Sequence, residues 1–243
     1  MPGPDLRTPR AVPEVIDLGR LPYADAYARQ VAAVDQVLAA RATPAPSPGV
    51  IFLVEHDPVI TVTRRPQARE HLLATPDLLA RHGVALAETD RGGDVTYHGP
   101  GQIVAYPVLD LTPLALRVHD YMRLLEEAVI RTCDAFGVSA RRDPTATGVW
   151  VNPKGADPGV ISPGAAKIAA MGVRLRRWVT MHGLALNVKT KLDHFGLIVT
   201  CGLAGRPVTS LLRELGETCP GADVVKARLA LELLSLIGAA GPG

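Results

Sequence analysis

Residues 90–102 read D-R-G-G-D-V-T-Y-H-G-P-G-Q, with four glycines, a proline and several strong hydrogen-bonding side chains packed into thirteen positions. Glycine has no Cβ, so Gly92 and Gly93 free the backbone for positive φ and let a ligand approach main-chain N–H groups closely. Such a loop suits an anion or a carbonyl oxygen. Val95, Thr96 and Tyr97 favour a short strand over 94–98. Alternation then puts Asp94, Thr96 and His98 on one face and Val95 and Tyr97 on the other. Gly99-Pro100-Gly101 forces a turn, after which Gln102 to Tyr106 resumes as strand. Two strands a hairpin's distance apart point to an antiparallel sheet.

The same spacing recurs on both sides of this stretch. Upstream, 50–56 and 59–63 read as strands around Asp57-Pro58, and 84–88 leads as strand into the glycines. Downstream, 148–151, 167–175 and 178–187 read as strands, the last two forming a hairpin through Arg176-Arg177. Helices fall between them. Apolar positions Tyr27, Val31, Val34 and Leu38 mark one face of a helix over 23–42, and Leu125, Val129 and Cys133 mark another over 119–136 that Gly137 stops. Thr75-Pro76-Asp77 caps a short helix that Gly83 closes. Short helices are expected near 209–215 and 223–237. Strands and helices mix without strict β-α-β alternation. The pattern therefore predicts an α+β fold, a single domain over 1–243 with a mostly antiparallel sheet packed by helices and 1–14 as a frayed leader.

Composition narrows the function. Aromatic residues make up 4% of a chain that is 47% apolar, so the core is aliphatic. A net charge of +2, with no basic cluster interleaved with aromatics, disfavours nucleic-acid binding. The first residues carry no signal-peptide pattern and no run of eighteen apolar residues appears, which leads to the expectation of a cytoplasmic protein with no membrane association. Three cysteines with no C-x-x-C spacing read as free thiols. Gly159 to Lys167 is not a phosphate-binding P-loop, because Lys does not directly follow the second Gly.

Two side chains stand out chemically. Cys201 follows an apolar strand-like run over 195–200 and precedes Gly202, a plausible seat for a nucleophile, whereas Cys133 reads as core and Cys219 lies in a Thr-Cys-Pro-Gly turn. Only five of the 26 basic residues are Lys. One of them, Lys167, opens the apolar string Lys-Ile-Ala-Ala-Met-Gly-Val. It is either a snorkelling lysine or one half of a catalytic pair with Cys201. The neighbouring strand carries Thr180 and His182 ahead of Gly183.

Taken together, R-G-G-D-V-T-Y-H-G-P-G-Q at 91–102, K-I-A-A-M-G-V-R at 167–174, H-G-L-A-L-N-V at 182–188 and C-G-L at 201–203 resemble the lipoyl(octanoyl) transferase family. The motifs occur in family order and span most of the chain. The resemblance implies the fold of the biotin and lipoate protein ligase catalytic domains and an acyltransferase. That enzyme takes octanoyl from octanoyl-acyl carrier protein and places it on the ε-amine of a lysine. The implied acceptors are lipoyl domains of 2-oxoacid dehydrogenase complexes and the glycine cleavage H protein, in the first step of protein lipoylation.

Carried over residue by residue, Cys201 corresponds to the acyl-thioester nucleophile and Lys167 to the partner that lowers its pKa. The substrate-binding positions are Arg91, Gly92, Gly93, Asp94, Val95, Thr96, Tyr97 and His98, then Ala170, Met171 and Gly172, then Gly183, Leu184 and Ala185. The chain departs from the family at Thr63 and Thr200, where Gly and Pro are usual, and over 152–164, which is longer.

A thioester is already activated, so transfer needs neither ATP nor a metal and no cofactor is expected. Each tenfold gain in thiolate requires about 1.4 kcal/mol. One ammonium at ~4 Å supplies on the order of 4 kcal/mol at an effective dielectric near 20, so one lysine suffices. Lys167 is also expected to move a proton in amide formation, with His98 the competing candidate. Arg141 and Arg142, or Arg174, Arg176 and Arg177, are candidates for meeting an acidic carrier. The alternatives are an ATP-dependent lipoate or biotin ligase on the same fold, and a silent binding module for acyl carriers.

Overall fold

A computed structural model of the chain describes residues 12–44, 46–157, 159–199 and 206–240. In chain order its elements are β1 (Glu14–Leu21), α1 (Tyr23–Ala40), β2 (Val50–His56), β3 (Val59–Thr63), α2 (Pro76–His82), β4 (Ala85–Thr89), β5 (Thr96–His98), β6 (Gln102–Val108), α3 (Val118–Asp134), β7 (Ala140–Arg142), β8 (Val149–Val151), β9 (Ala166–Arg176), β10 (Val179–Asn187), α4 (Leu211–Leu215) and α5 (Ala222–Ala239). Among these residues a seven-stranded sheet runs β1-β2-β6-β10-β9-β8-β7, and a three-stranded sheet runs β4-β3-β5. In the large sheet only β1 and β2 are parallel. The expected α+β architecture with a mostly antiparallel sheet holds.

Helices cover both faces of the large sheet. On one side α3 and α5 bury Leu125, Val129, Cys133, Leu229 and Leu233 against Ile103, Ile168 and Leu186. On the other, α1 sets Ala26, Ala33, Val34 and Val37 against Phe52, Val104, Tyr106 and Ala185. The buried face of α1 is rotated from the expected stripe. It contains Tyr23, Ala26, Gln30, Ala33, Val34 and Val37, because small residues let the helix approach the sheet, while Tyr27, Val31 and Leu38 sit at its margin. The short α2 is built as expected. The Thr75 hydroxyl accepts from Leu78 N–H at 3.3 Å, and Gly83 ends the helix in the left-handed region.

Several expectations are corrected. β5 and β6 do not pair with each other: β5 joins β3 and β6 joins β2 and β10, so the Gly99-Pro100-Gly101 turn carries the chain from the small sheet to the large one. The step at Asp57-Pro58 makes the same crossing in the opposite direction. Gly101 is required there, since its φ is +79° and a Cβ would lie 2.5 Å from the Lys189 carbonyl. The leader reading covered Glu14, which begins β1. Alternation breaks within that strand, where the register shifts between Asp17 and Arg20 and Gly19 takes positive φ.

The β9–β10 turn is Arg177-Trp178 rather than Arg176-Arg177, with φ of +50° and +68°. The described part of the apolar run, 195–199, is not a strand. Leu192–Leu197 is a 3-10 turn, after which Ile198 makes a single bridge to Leu72. No helix among the described residues is long and apolar enough to cross a membrane.

Candidate active site

β8 pairs with β9 only as far as Ala169, so the edge of β9 beyond that point is open. The glycine-rich loop fills this edge. Gly92 N–H donates to Val173 O at 2.8 Å, and Gly172 admits the loop because a Cβ there would lie 2.7 Å from Gly92 O. Gly93 takes φ of +92°. The Arg91 guanidinium staples the loop to β3, donating to Thr61 Oγ1 at 3.0 Å and to Gly92 O at 3.0 Å. Asp94 is held by the His71 ring.

Beneath the loop lies a pocket of about 470 Å³. It brings together Arg91, Gly93, Thr96 and His98 from the loop and β5, Ala170, Met171 and Gly172 from β9, and Gly183, Leu184 and Ala185 from β10. The remaining expected positions lie elsewhere. Val95 and Tyr97 face the small sheet's own core, Asp94 pairs with His71, and Gly92 borders a neighbouring groove of about 930 Å³. That groove also holds Lys167 and shares Gly93, Met171 and Gly172 with the pocket.

Lys167 does not snorkel into open water: it is 5% exposed, with Nζ 4.6 Å from the centre of the Trp150 ring. The Arg206 guanidinium stacks on the same ring at 3.6 Å and bonds Asp143 at 2.5 Å. Lys167 is pinned through its backbone, its N–H donating to Pro207 O and its carbonyl accepting from Thr209, both at 2.9 Å. Gly148 makes room for its stem, since a Cβ there would meet Lys167 Cε at 3.1 Å. Cys201 lies outside the described residues. The other two thiols are free, and burial pushes Cys133 up to about 12.

His98 is locked as one tautomer. Gln102 Nε2 donates to Tyr97 O (3.2 Å) and to Asn187 Oδ1 (2.9 Å), so its Oε1 must accept from His98 Nδ1–H at 2.7 Å. Asn187 in turn donates to Thr209 O at 3.0 Å. Burial, and then the neighbouring His56, lower the His98 pKa to about 3. A base that weak is mismatched to accepting an amine proton near neutrality, which argues against the proton-transfer role held open for it.

Reasoning from sequence left out four residues that close the pocket: Tyr23, Val104, Tyr106 and His182. Tyr106 OH donates to His56 Nε2 at 2.8 Å, since His56 Nδ1–H is already given to Leu21 O at 2.9 Å. His182 has φ of +58°, rare for a side chain of this size. Its backbone N–H is held by Gln30 Oε1 at 2.8 Å, and its Nε2–H by Asp90 Oδ1 at 2.9 Å. Asp90 also accepts from Tyr27 OH at 2.9 Å and from Arg174. Burial pushes the Asp90 carboxyl up, but these donors more than offset it and hold it below its usual range. Burial lowers His182, against the pull of Asp90. The next residue must be Gly183, because a Cβ there would lie 2.2 Å from Ala105 O. The His-Gly pair was visible in the sequence, but the strain at His182 was not.

Of the arginines considered for carrier docking, Arg142 pairs with Glu126 and Glu127, Arg174 with Asp90 and Arg176 with Asp35. Arg141 and Arg177 form no ion pair among the described residues. No group of three or more His, Cys, Asp or Glu suited to a metal occurs among the described residues.

Comparison with known proteins matches the chain to a family. The family described as "Lipoyl protein ligase A/B catalytic domain" matches residues 27–232. An octanoyltransferase of Bacteroides thetaiotaomicron is 43% identical over 92% of this chain and 94% of its own length. Another from Koribacter versatilis is 43% identical over 84% of this chain and 76% of its own. Among solved structures, a bipartite lipoate protein ligase from Thermoplasma acidophilum shares the fold, with TM-score 0.69 at 17% identity over 94% of this chain and 84% of that one. A biotin protein ligase from Aquifex aeolicus shares it more distantly, with TM-score 0.52 at 10% identity over 92% and 70%.

Proposed function

Since the chain is a transferase that belongs to the lipoyl protein ligase A/B catalytic-domain family, we propose that it moves an octanoyl group from octanoyl-acyl carrier protein to the ε-amine of a lysine in a lipoyl domain. The acceptors are lipoyl domains of 2-oxoacid dehydrogenase complexes and the glycine cleavage H protein, and the reaction takes place in the cytoplasm. One observation carries the reading: three separate segments converge under the glycine-rich loop to line a mostly apolar pocket, adjoining a groove that holds a buried lysine. An octanoyl tail buried there contributes on the order of 5 kcal/mol at ~0.8 kcal/mol per methylene.

In this reading the Cys201 thiolate attacks the carrier thioester carbonyl. The new C–S bond forms as the old one breaks, and Lys167 protonates the departing carrier thiol. The acceptor amine then attacks the Cys201 thioester, a C–N bond replaces the C–S bond, and the amine proton returns to Lys167, restoring the ammonium beside the thiolate. The cycle closes without ATP or a metal.

The test is transfer to a purified lipoyl domain from octanoyl-carrier in the absence of nucleotide. Activity with free acid plus ATP, and none with the carrier thioester, would identify a ligase instead. Carrier binding with no turnover under either condition would leave a binding module.

A further inference from the structure

Lys167 and Trp150 are cross-strand partners in the β8–β9 ladder, next to the point where its register shifts. The pairing brings their side chains together, so that the buried ammonium rests over the indole ring. An aromatic face suits a lysine that has to serve a thiolate. A buried ammonium needs a counterpart. A carboxylate would supply one, but it would also neutralise the charge and hold the protons. The ring quadrupole stabilises the cation and leaves its charge and its N–H groups available.

The ring is itself held. It is 1% exposed, and its Nε1–H donates at 3.3 Å to Ala146 O, in the loop that walls the groove. Arg206 stacks on the same ring, and Asp143 balances this second cation. Buried Asp143 also accepts from Thr145 N–H and Thr145 Oγ1–H, each at 2.7 Å. Burial pushes its carboxyl up, but the bonds from Thr145 and then Arg206 more than offset that, so it stays charged. One guanidinium thus joins the ring beside Lys167, the groove wall built on Asp143 and Thr145, and the chain five residues beyond Cys201. None of Trp150, Arg206 and Asp143 lines the acyl pocket.

We propose that these three are positioning residues for the Lys167–Cys201 pair: the indole holds the ammonium without neutralising it, and Arg206 occupies the buried carboxylate that would otherwise draw the ammonium away from the thiol. The inference rests on the acyl-transfer reading of the site. It gives roles to three residues that lie outside all four sequence motifs.

Two readouts separate positioning from plain packing. One is the pH dependence of Cys201 alkylation, with the modified residue mapped by mass spectrometry. The other is single-turnover acylation, split into its maximal rate and the carrier concentration at half-saturation. In Trp150→Leu the alkylation midpoint should move to higher pH and the acylation rate should fall about tenfold, with half-saturation within threefold of the unsubstituted protein. Trp150→Phe keeps a ring face, and its rate should stay within threefold. Arg206→Met leaves Asp143 open to Lys167 and should lose at least tenfold in rate. Adding Asp143→Asn to Arg206→Met removes the competing charge and should bring the rate back to within threefold. If Trp150→Leu fails to fold, the comparison of Arg206→Met with that double variant decides. A folded Trp150→Leu with the original midpoint and rate, a Trp150→Phe as slow as Trp150→Leu, or a double variant no faster than Arg206→Met would overturn the inference. Midpoints that shift as expected in a protein that never takes octanoyl from the carrier would overturn the transferase reading instead.

Discussion

Replacing Gln102 with Leu removes a buried connector between the two sheets and the pocket. The side chain is 1% exposed and makes three hydrogen bonds, from His98 Nδ1–H and to Tyr97 O and Asn187 Oδ1. Leucine matches its volume and makes none of them, leaving one donor and two acceptors stranded at ~1–3 kcal/mol each. The Tyr97 bond is the longest, and the added apolar burial returns ~1–2 kcal/mol. The net loss should therefore be about 3 kcal/mol, or ~6–12 °C in Tm for a domain of this size. Urea titration followed by circular dichroism measures it, with a lower midpoint and an unchanged slope marking a loss of stability. Gln102→Glu keeps an acceptor for His98 but gives up both donors, so it should also be destabilised. A Gln102→Leu protein within 1 kcal/mol of the parent would refute the account of how His98 is held.

Lys167→Arg keeps the charge but cannot shuttle a proton. Cys201 should stay readily alkylated while overall transfer falls ~10²–10⁴-fold, and near-normal single-turnover aminolysis would remove Lys167 from the proton-transfer role. His98 titrates near 3 in the folded protein and at about 6.5 when unfolded, so its contribution is fully present above 6.5 and is lost as pH falls toward 3. Stability should drop by ~2 kcal/mol between pH 6.5 and 5 from this group, and pH-dependent urea titrations of His98→Phe should show a slope shallower by about one proton. In Gly172→Ala the added Cβ must push Gly92 O back from 2.7 Å and strain the bond from Gly92 N–H to Val173. Transfer should fall at least tenfold with ~1–3 kcal/mol lost, while Gly221→Ala, where a Cβ meets nothing within 4 Å, should leave transfer unchanged.

Local chemistry explains what was legible. The Thr75 cap with Gly83, the core stripe of Leu125, Val129 and Cys133, and the bounds of β2 and β3 depend on a few adjacent residues, and they appear as read. Partner choice was not legible, because nothing within 94–106 says that the strands on either side of Gly99-Pro100-Gly101 leave for different sheets. β1 escaped notice because its bulge at Asp17 to Arg20 interrupts alternation. The slip of the β9–β10 turn has a similar origin, since a turn with two positive φ values normally announces itself with Asn or Gly, and here it is Arg177-Trp178. At the site, the motifs named ten residues of the pocket lining, but Tyr23, Tyr106 and His182 arrive from α1, β6 and a strained strand position. Asp90 stood inside the opening stretch, and its role became readable only once Tyr27, Arg174 and His182 were seen to converge on it.

The central claim is a covalent relay through one cysteine, and intact mass spectrometry with peptide mapping tests it most directly. After incubation with octanoyl-carrier and no acceptor, the protein should gain one octanoyl group, mapped to Cys201. Cys133, whose thiol burial holds near 12, and Cys219 should stay unmodified. Adding a lipoyl domain should discharge the label onto its lysine. No adduct, or an adduct that maps to Cys133 or Cys219 or survives the acceptor, would contradict the account.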